Sequence, residues 1–205
     1  MKPNIALVGK MGSGKTTIAN ALAEYHGYKR ISWADGVRYV ASLAYGPIDY
    51  NKQYQVRLPD NSMGTLTGRQ ILQRVGTDAL RNNVDLDFWI KTLFNRLAND
   101  PNGGPWVVDD SRFDNEAMSA RANGWLTVQV KVNEEARIER IHRLYPEADS
   151  STIQHSSENS FSGTYIDIAI WNTTPDVRKT VDQLMATAAN HVEQMLIRNR
   201  LANRT

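Results

Sequence analysis

Near the amino end, residues 5–17 read IALVGKMGSGKTT. An apolar run, Ile5 to Val8, enters a loop holding Gly9, Gly12 and Gly14, and Lys15, Thr16 and Thr17 follow. The run has the continuous apolarity of a strand buried on both faces of a parallel sheet. After the loop, Ile18, Ala21, Leu22 and Tyr25 recur at helical spacing, and Gly27 ends the helix. Gly9-Lys10-Met11-Gly12-Ser13-Gly14-Lys15-Thr16 fits G-x-x-x-x-G-K-S/T in full. Glycines let backbone N–H groups turn inward around phosphate oxygens, and the helix adds its positive N-terminal end. Lys15 is expected to reach the β- and γ-phosphates and the Thr16 hydroxyl to ligate Mg²⁺. The ligand class is therefore a nucleoside triphosphate with magnesium.

The rest of the chain repeats the strand-then-helix rhythm. A second junction falls near YKRISWADG, and a strand is expected at PWVVDD, residues 105–110, followed by a short helix capped by Asp114 and stopped by Gly124. WLTVQVKV alternates, with Leu126, Val128, Val130 and Val132 on one face and Thr127, Gln129 and Lys131 on the other, which suggests a strand with one face less buried. YIDIAIWN repeats the pattern through Ile166, Ile168 and Ile170. The last helix is expected to start with Thr174 as N-cap and Pro175 in its first turn. Val177, Val181, Leu184, Ala188, Val192 and Met195 form its apolar stripe. Such alternation predicts an α/β domain with a parallel sheet. Two stretches depart from it, 46–104 and 133–163, where a doubly wound domain carries insertions over its ligand face.

Composition narrows the function. The chain has 205 residues, 41% of them hydrophobic, enough for one compact domain with insertions. Lys+Arg number 24 and Asp+Glu 22, a net +2, which is not the concentrated basic character of a nucleic-acid binder. Cysteine is absent, which excludes disulfides and thiolate metal sites. An early strand leaves no room for a signal peptide, and no apolar run reaches membrane-spanning length, so the default expectation is a cytoplasmic protein.

Among users of nucleoside triphosphates, a GTPase would need Asn-Lys-x-Asp, and Asn51-Lys52 lacks the Asp. A motor ATPase would want a basic DNA track. A small-molecule kinase needs an anionic acceptor pocket and a lid that excludes water, and the two insertions suit both. On a helical wheel of TGRQILQRVGTDALRN, Leu72, Val75 and Ala79 share one side, with Ile71 at its edge. Arg69, Gln73, Thr77 and Arg81 share the opposite arc, beside Gly76, which permits close approach. That arc reads either as a solvated face or as a phosphate-binding surface. Asp109 or Asp110 at a strand end suits Mg²⁺ held through water, or a turn cap. Asp35, three residues before Arg38, reads as a group that orients the acceptor, as a helix cap, or as both. Trp33 reads as a base-stacking ring or as core. NEEARIERIHRLYP reads as a helix capped by Asn133, with Ile138, Ile141 and Tyr145 on one face and Arg137, Arg140 and Arg143 on another. Those arginines suit either a lid that neutralises phosphoryl charge or an exposed basic face.

The glycine loop, SWAD, TGRQILQRVGTDALRN followed by FWI, VVDDSRFDNEA, HSSE and IWNTT together resemble the phage-type deoxynucleoside monophosphate kinases of the P-loop nucleoside monophosphate kinase superfamily. The resemblance implies a three-layer P-loop fold with a five-stranded parallel core (1–45, 105–132, 164–205), a helical acceptor-binding insertion (46–104) and a lid (133–163). It implies transfer of the ATP γ-phosphoryl group to a deoxynucleoside monophosphate, with Mg²⁺. Gly9 to Thr17 would hold ATP. Arg69, Gln73, Gly76, Thr77 and Arg81, with Trp33, Asp35 and Arg38, would bind the acceptor. Arg112 would reach the acceptor or its phosphate, with Glu116 orienting it, and Arg137 and Arg140 would sit in the lid. Lys15, Asp35 and Asp110 would join those arginines in catalysis. His155 to Glu158 match the HSSE motif without a physical role. The expected partner is a small molecule rather than a nucleic acid or membrane, and a phage-borne gene would place the protein in the host cytoplasm. Two rival readings stay open: a P-loop kinase of another acceptor such as dephospho-coenzyme A, and an acceptor-independent ATPase. The long last helix, with its basic end, suits pairing with a second copy or capping of the sheet.

Overall fold

A computed structural model describes residues 2–144, 162–174 and 176–202. The readings for Tyr145, His155 to Glu158, Pro175 and most of the expected lid lie outside the described residues. The chain divides into two compact units, 1–31 with 103–205, and 32–102.

The first unit carries a five-stranded, all-parallel sheet. Its strands are β1 (Ile5–Val8), β2 (Lys29–Ile31), β5 (Trp106–Ser111), β6 (Leu126–Lys131) and β7 (Ile168–Trp171), in the order β2-β5-β1-β6-β7. Every residue of β1 is buried, as a central strand covered on both faces requires. α1 (Lys15–His26) begins at Gly14, φ +94°, and ends at Gly27, φ +69°, whose N–H bonds to the Ala23 carbonyl at 3.1 Å. Ile18, Ala19, Ala21 and Leu22 are its buried face, while Tyr25 lies outside it, under the Arg178 guanidinium at 5.1 Å. α5 (Asp114–Ala122), α6 (Glu134–Leu144) and α7 (Val177–Ala202) complete the unit. One core joins Leu7, Leu22, Val107, Val128, Val181 and Leu184 across sheet and helices.

Four local expectations differ from the fold. Thr127, placed on the less buried face of β6, is fully buried. Its Oγ1 and N–H both donate to Asp167 Oδ2, at 2.7 and 2.9 Å, so a polar residue enters the core satisfied. Asp114 is the first residue of α5, and its carboxylate accepts from Ser162 N–H at 3.0 Å. At α7, Asp176 accepts from Lys179 N–H at 3.0 Å while Thr174 Oγ1 accepts from Asp176 N–H at 3.1 Å, so the capping residue is Asp176. The α7 stripe is buried at Val181, Leu184 and Ala188, but Met195 is 50% exposed because the stripe outlasts the core it covers.

The second unit contains α2 (Asp35–Tyr45), an antiparallel hairpin of β3 (Gln53–Arg57) and β4 (Met63–Thr67), α3 (Gly68–Gln73), a π-helix (Arg74–Arg81) and α4 (Phe88–Ala98). Val37 and Ala41 of α2 pack with Tyr54, Val56, Ile71, Leu72 and Trp89. That packing draws α2 into this unit, so the unit starts at Ser32 rather than at residue 46. The hairpin lies within the stretch 46–104 that was expected to be a helical insertion. Its strand QYQVR alternates, burying Tyr54 and Val56. Thr67 and Gln70 form a capping box that starts α3.

A candidate phosphate site and a separate arginine cluster

The glycine loop leaves β1 and feeds α1 with Gly9, Gly12 and Gly14 all at positive φ, +152°, +79° and +94°. A Cβ on Gly14 would lie 2.1 Å from Asn172 Nδ2, and one on Gly12 would lie 2.8 Å from Ile141 Cγ1. Only glycine leaves the loop this close to its walls. No side chain caps the N-terminus of α1, a helix start of the kind that receives anions. Ser13 is 1% exposed, and its Oγ has no hydrogen-bond partner among the described residues. A buried, unpaired hydroxyl and a helix start without a side-chain cap, beside a loop that lacks Cβ atoms at Gly9, Gly12 and Gly14, fit a triphosphate. Lys15 Nζ donates to the carbonyls of Gly9 and of Lys10, the latter at 3.1 Å, which keeps the ammonium at the loop. Thr16 and Thr17 stand exposed in the first turn of α1.

Two elements brace this loop. Asn172, at the end of β7 and 7% exposed, donates from Nδ2 to the Ser13 carbonyl at 2.9 Å, and its own carbonyl accepts from Arg140 Nη2 at 3.1 Å. The other brace is Arg137, expected as a charge-neutralising lid residue. It is 5% exposed, donates from Nη1 to the Met11 carbonyl at 3.1 Å, and binds Glu134 through Nε and Nη2 at 2.9 and 2.6 Å. The hydrogen bonds from Arg137 hold the Glu134 carboxyl below its usual range. Arg137 is therefore tied to the loop's main chain rather than open to a reacting group. Arg140 is half-buried, and its Nη1 lies 3.7 Å from the position a Gly14 Cβ would take. Arg143 is exposed.

The carboxylates at the end of β5 part company. Asp109 is 7% exposed and takes Arg30 Nη2 at 2.8 Å, while Asp110 is half-buried. The β1–β5 register slips there, from Ala6 opposite Val108 to Val8 opposite Ser111. Neighbouring strand residues face opposite sides of a sheet, and the irregularity falls at this pair. Arg30 thus pairs with the buried Asp109. Arg112 is exposed, and Glu116, 5% exposed, accepts from the main-chain N–H groups of Arg112 and Phe113 at 2.7 and 3.1 Å. Glu116 thus fixes Arg112 through its backbone.

In the second unit, Asp35 Oδ1 accepts from Arg38 Nη1 at 3.0 Å, and Oδ2 accepts from Arg96 Nη2 at 2.9 Å and from Ser32 N–H at 3.1 Å. Trp33 is 4% exposed and meets Phe94 edge-on at 5.8 Å, so its ring belongs to packing, not to base stacking. Arg69, Gln73 and Thr77 are exposed and Arg81 half-buried, which keeps the polar arc. Gly76 does not belong to that arc. It is buried, its carbonyl accepts from Trp89 Nε1 at 2.7 Å, and a Cβ would lie 3.0 Å from Val37 Cγ1. Ala79 is exposed and Leu80 packs in its place. The cause is the π-helix, closed by Asn82 N–H to the Thr77 carbonyl, which has more residues per turn than the wheel assumes.

Sequence reasoning assigned no role to Asn172, Arg30 or Arg96. Asn172 sits inside the IWNTT stretch, the one signal that pointed toward it.

Residues 5–161 match the family described as AAA domain. A protein of Acanthamoeba polyphaga mimivirus, named "Putative deoxynucleotide monophosphate kinase", is 30% identical over 143 residues, covering 62% of this chain and 72% of that protein. Among solved structures, a gluconokinase from Sinorhizobium meliloti 1021 superposes with a TM-score of 0.55 at 19% identity, covering 96% of this chain and 97% of the other. Shikimate kinase from Acinetobacter baumannii, in complex with shikimate, gives 0.55 at 16% identity over 98% of this chain and 96% of the other. At these identities the two structures establish the fold.

Proposed function

We propose that this chain, which belongs to the AAA-domain family of P-loop proteins and is a small-molecule P-loop kinase, transfers the γ-phosphoryl group of ATP to a deoxynucleoside 5′-monophosphate. The products would be the deoxynucleoside diphosphate and ADP. The observation that carries this reading is a glycine loop that fits a triphosphate, in a chain that also exposes a row of hydrogen-bonding side chains, Arg69, Gln73 and Thr77. The name of the mimivirus relative supplies the acceptor class.

The chemistry asks little covalent work of the protein. An oxygen of the acceptor's phosphate forms a bond to Pγ as the bond from Pγ to the β–γ bridging oxygen breaks. The protein positions both groups and offsets the charge that moves. Lys15 and the N–H groups of the α1 start would hold the β- and γ-oxygens. Arg140, beside Gly14, would offset charge on the transferring group, with Asn172 fixing its place. Arg137 and Asn172 would keep the loop in shape. Thr16, with Asp110 or Asp109 through water, would hold Mg²⁺, which when bound would supply positive charge against the charge that develops on the phosphates. Arg69 and Arg81 would receive the acceptor.

The test is ADP formation from Mg·ATP with each common deoxy- and ribonucleoside monophosphate added singly. An acceptor-dependent rate with one or more deoxynucleotides supports the reading. A rate indifferent to every nucleotide overturns it and points to coenzyme precursors or to acceptor-independent hydrolysis.

A further inference from the structure

The Asp35 cluster does something a helix cap does not require. Two guanidiniums from different helices, Arg38 of α2 and Arg96 of α4, meet on one carboxylate at 3.0 and 2.9 Å. The side chains of Arg38, Arg96 and Asp35 are 43%, 48% and 31% exposed. Ion pairs this exposed contribute little to folding. What they do contribute is geometry: Asp35 offsets the repulsion between two like charges and holds both forks at one place. Arg96 spends one of its five N–H donors on Asp35, and the cluster retains a net positive charge.

We propose that Arg96 and Arg38 form a phosphate-binding cradle, braced by Asp35, that takes the phosphate of the monophosphate acceptor. This rests on the acceptor reading above and adds Arg96 to it. A guanidinium fork matches the oxygens of a phosphomonoester, and two forks with one brace match a single compact dianion better than an extended polyanion. Asp35 is then a positioning residue. Both its oxygens are committed to Arg38, Arg96 and the Ser32 amide, so it orients the arginines rather than the acceptor's attacking oxygen.

The experiment is titration calorimetry on the full chain with each deoxynucleoside monophosphate and, separately, the matching deoxynucleoside without phosphate. Steady-state kinetics run alongside. Arg96→Gln should weaken monophosphate binding and raise acceptor KM roughly 10- to 100-fold, the effect of losing a hydrogen bond to a charged group. ATP affinity and binding of the phosphate-free nucleoside should hold. Arg96→Lys should recover only part of the loss, since an ammonium lacks the fork, and it stands in should Arg96→Gln fail to fold. Asp35→Asn should weaken monophosphate binding too, and adding Arg96→Gln to it should cost less than in the wild type. Lys91→Gln, on the same helix but paired with Asp85 at 2.6 Å, should change nothing. Unchanged monophosphate binding in Arg96→Gln overturns the cradle, as does an equal loss of nucleoside and nucleotide binding. Should the wild type bind monophosphates through Arg96 yet turn none over, the kinase reading fails and the cradle stands.

Discussion

The side-chain amide of Asn172 donates to the Ser13 carbonyl at 2.9 Å, tying the end of β7 to the glycine loop across 159 positions of sequence. The same residue's carbonyl accepts from Arg140, so one buried asparagine sets both the loop and an arginine beside it. Asn172→Ala removes the bond and leaves a carbonyl unpaired in a buried place, at about 1–3 kcal/mol. ATP affinity, read as ADP or ATP titration, should fall roughly 5- to 100-fold, while acceptor binding measured without ATP should hold. Unchanged nucleotide affinity would show that the brace does not shape the site.

Lys15 sits at the loop, bound to the carbonyls of Gly9 and Lys10. Lys15→Ala should lower turnover by roughly 10²–10³-fold or more, as the loss of a preorganised charge partner does. The thermal midpoint should barely move, which circular dichroism on the same samples would check.

Gly14 combines φ +94° with a Cβ position 2.1 Å from Asn172 Nδ2. Gly14→Ala meets both backbone strain of about 1–2 kcal/mol and a collision. Thermal unfolding should show a loss of at least that size, along with loss of nucleotide binding. A stable variant with wild-type affinity would mean the loop can be rebuilt around a methyl group.

The Glu134–Arg137 pair gives a pH signature. The Glu134 carboxyl is held below its ordinary value of 4.5, first by the hydrogen bonds from Arg137. A depressed carboxylate contributes stability that is present above the unfolded value and lost as pH falls through the lower folded value. Glu134→Gln should therefore be less stable than wild type near pH 7, and the gap should close on acidification below 4.5. The pair is largely exposed on the Glu134 side, at 58%, so the gap should be small and shrink with salt. Thermal midpoints against pH for both proteins check this, and a constant gap would remove the link.

Some of this was legible in the residues. Glycine, lysine and threonine at fixed spacing between an apolar run and a helical pattern announce their own backbone geometry, because positive φ and helix starts are local properties. Apolar periodicity placed β1, α1, β5, β6 and most of α7 for the same reason. The hairpin at Gln53–Thr67 was written as alternation in QYQVR and hidden by the turn-forming residues around it. The polar arc of Arg69, Gln73 and Thr77 was readable, but Gly76 and Ala79 were not, because a π-helix changes the wheel itself.

What the sequence determined by itself was the parallel α/β frame and the phosphate-binding loop, both of which follow from short-range sterics and the period of burial. What only the tertiary structure decided was the partner of each charged or polar side chain. Arg137 is an exposed basic residue on a helical wheel and a buried brace of Met11 in the fold. Asp109 and Asp110 are adjacent and equivalent as letters, and in the fold Asp109 is buried against Arg30 while Asp110 is half-buried. Arg96 meets Asp35 from 61 positions away. A charge takes its meaning from the groups a few ångströms from it, and those distances exist only once strands and helices have packed.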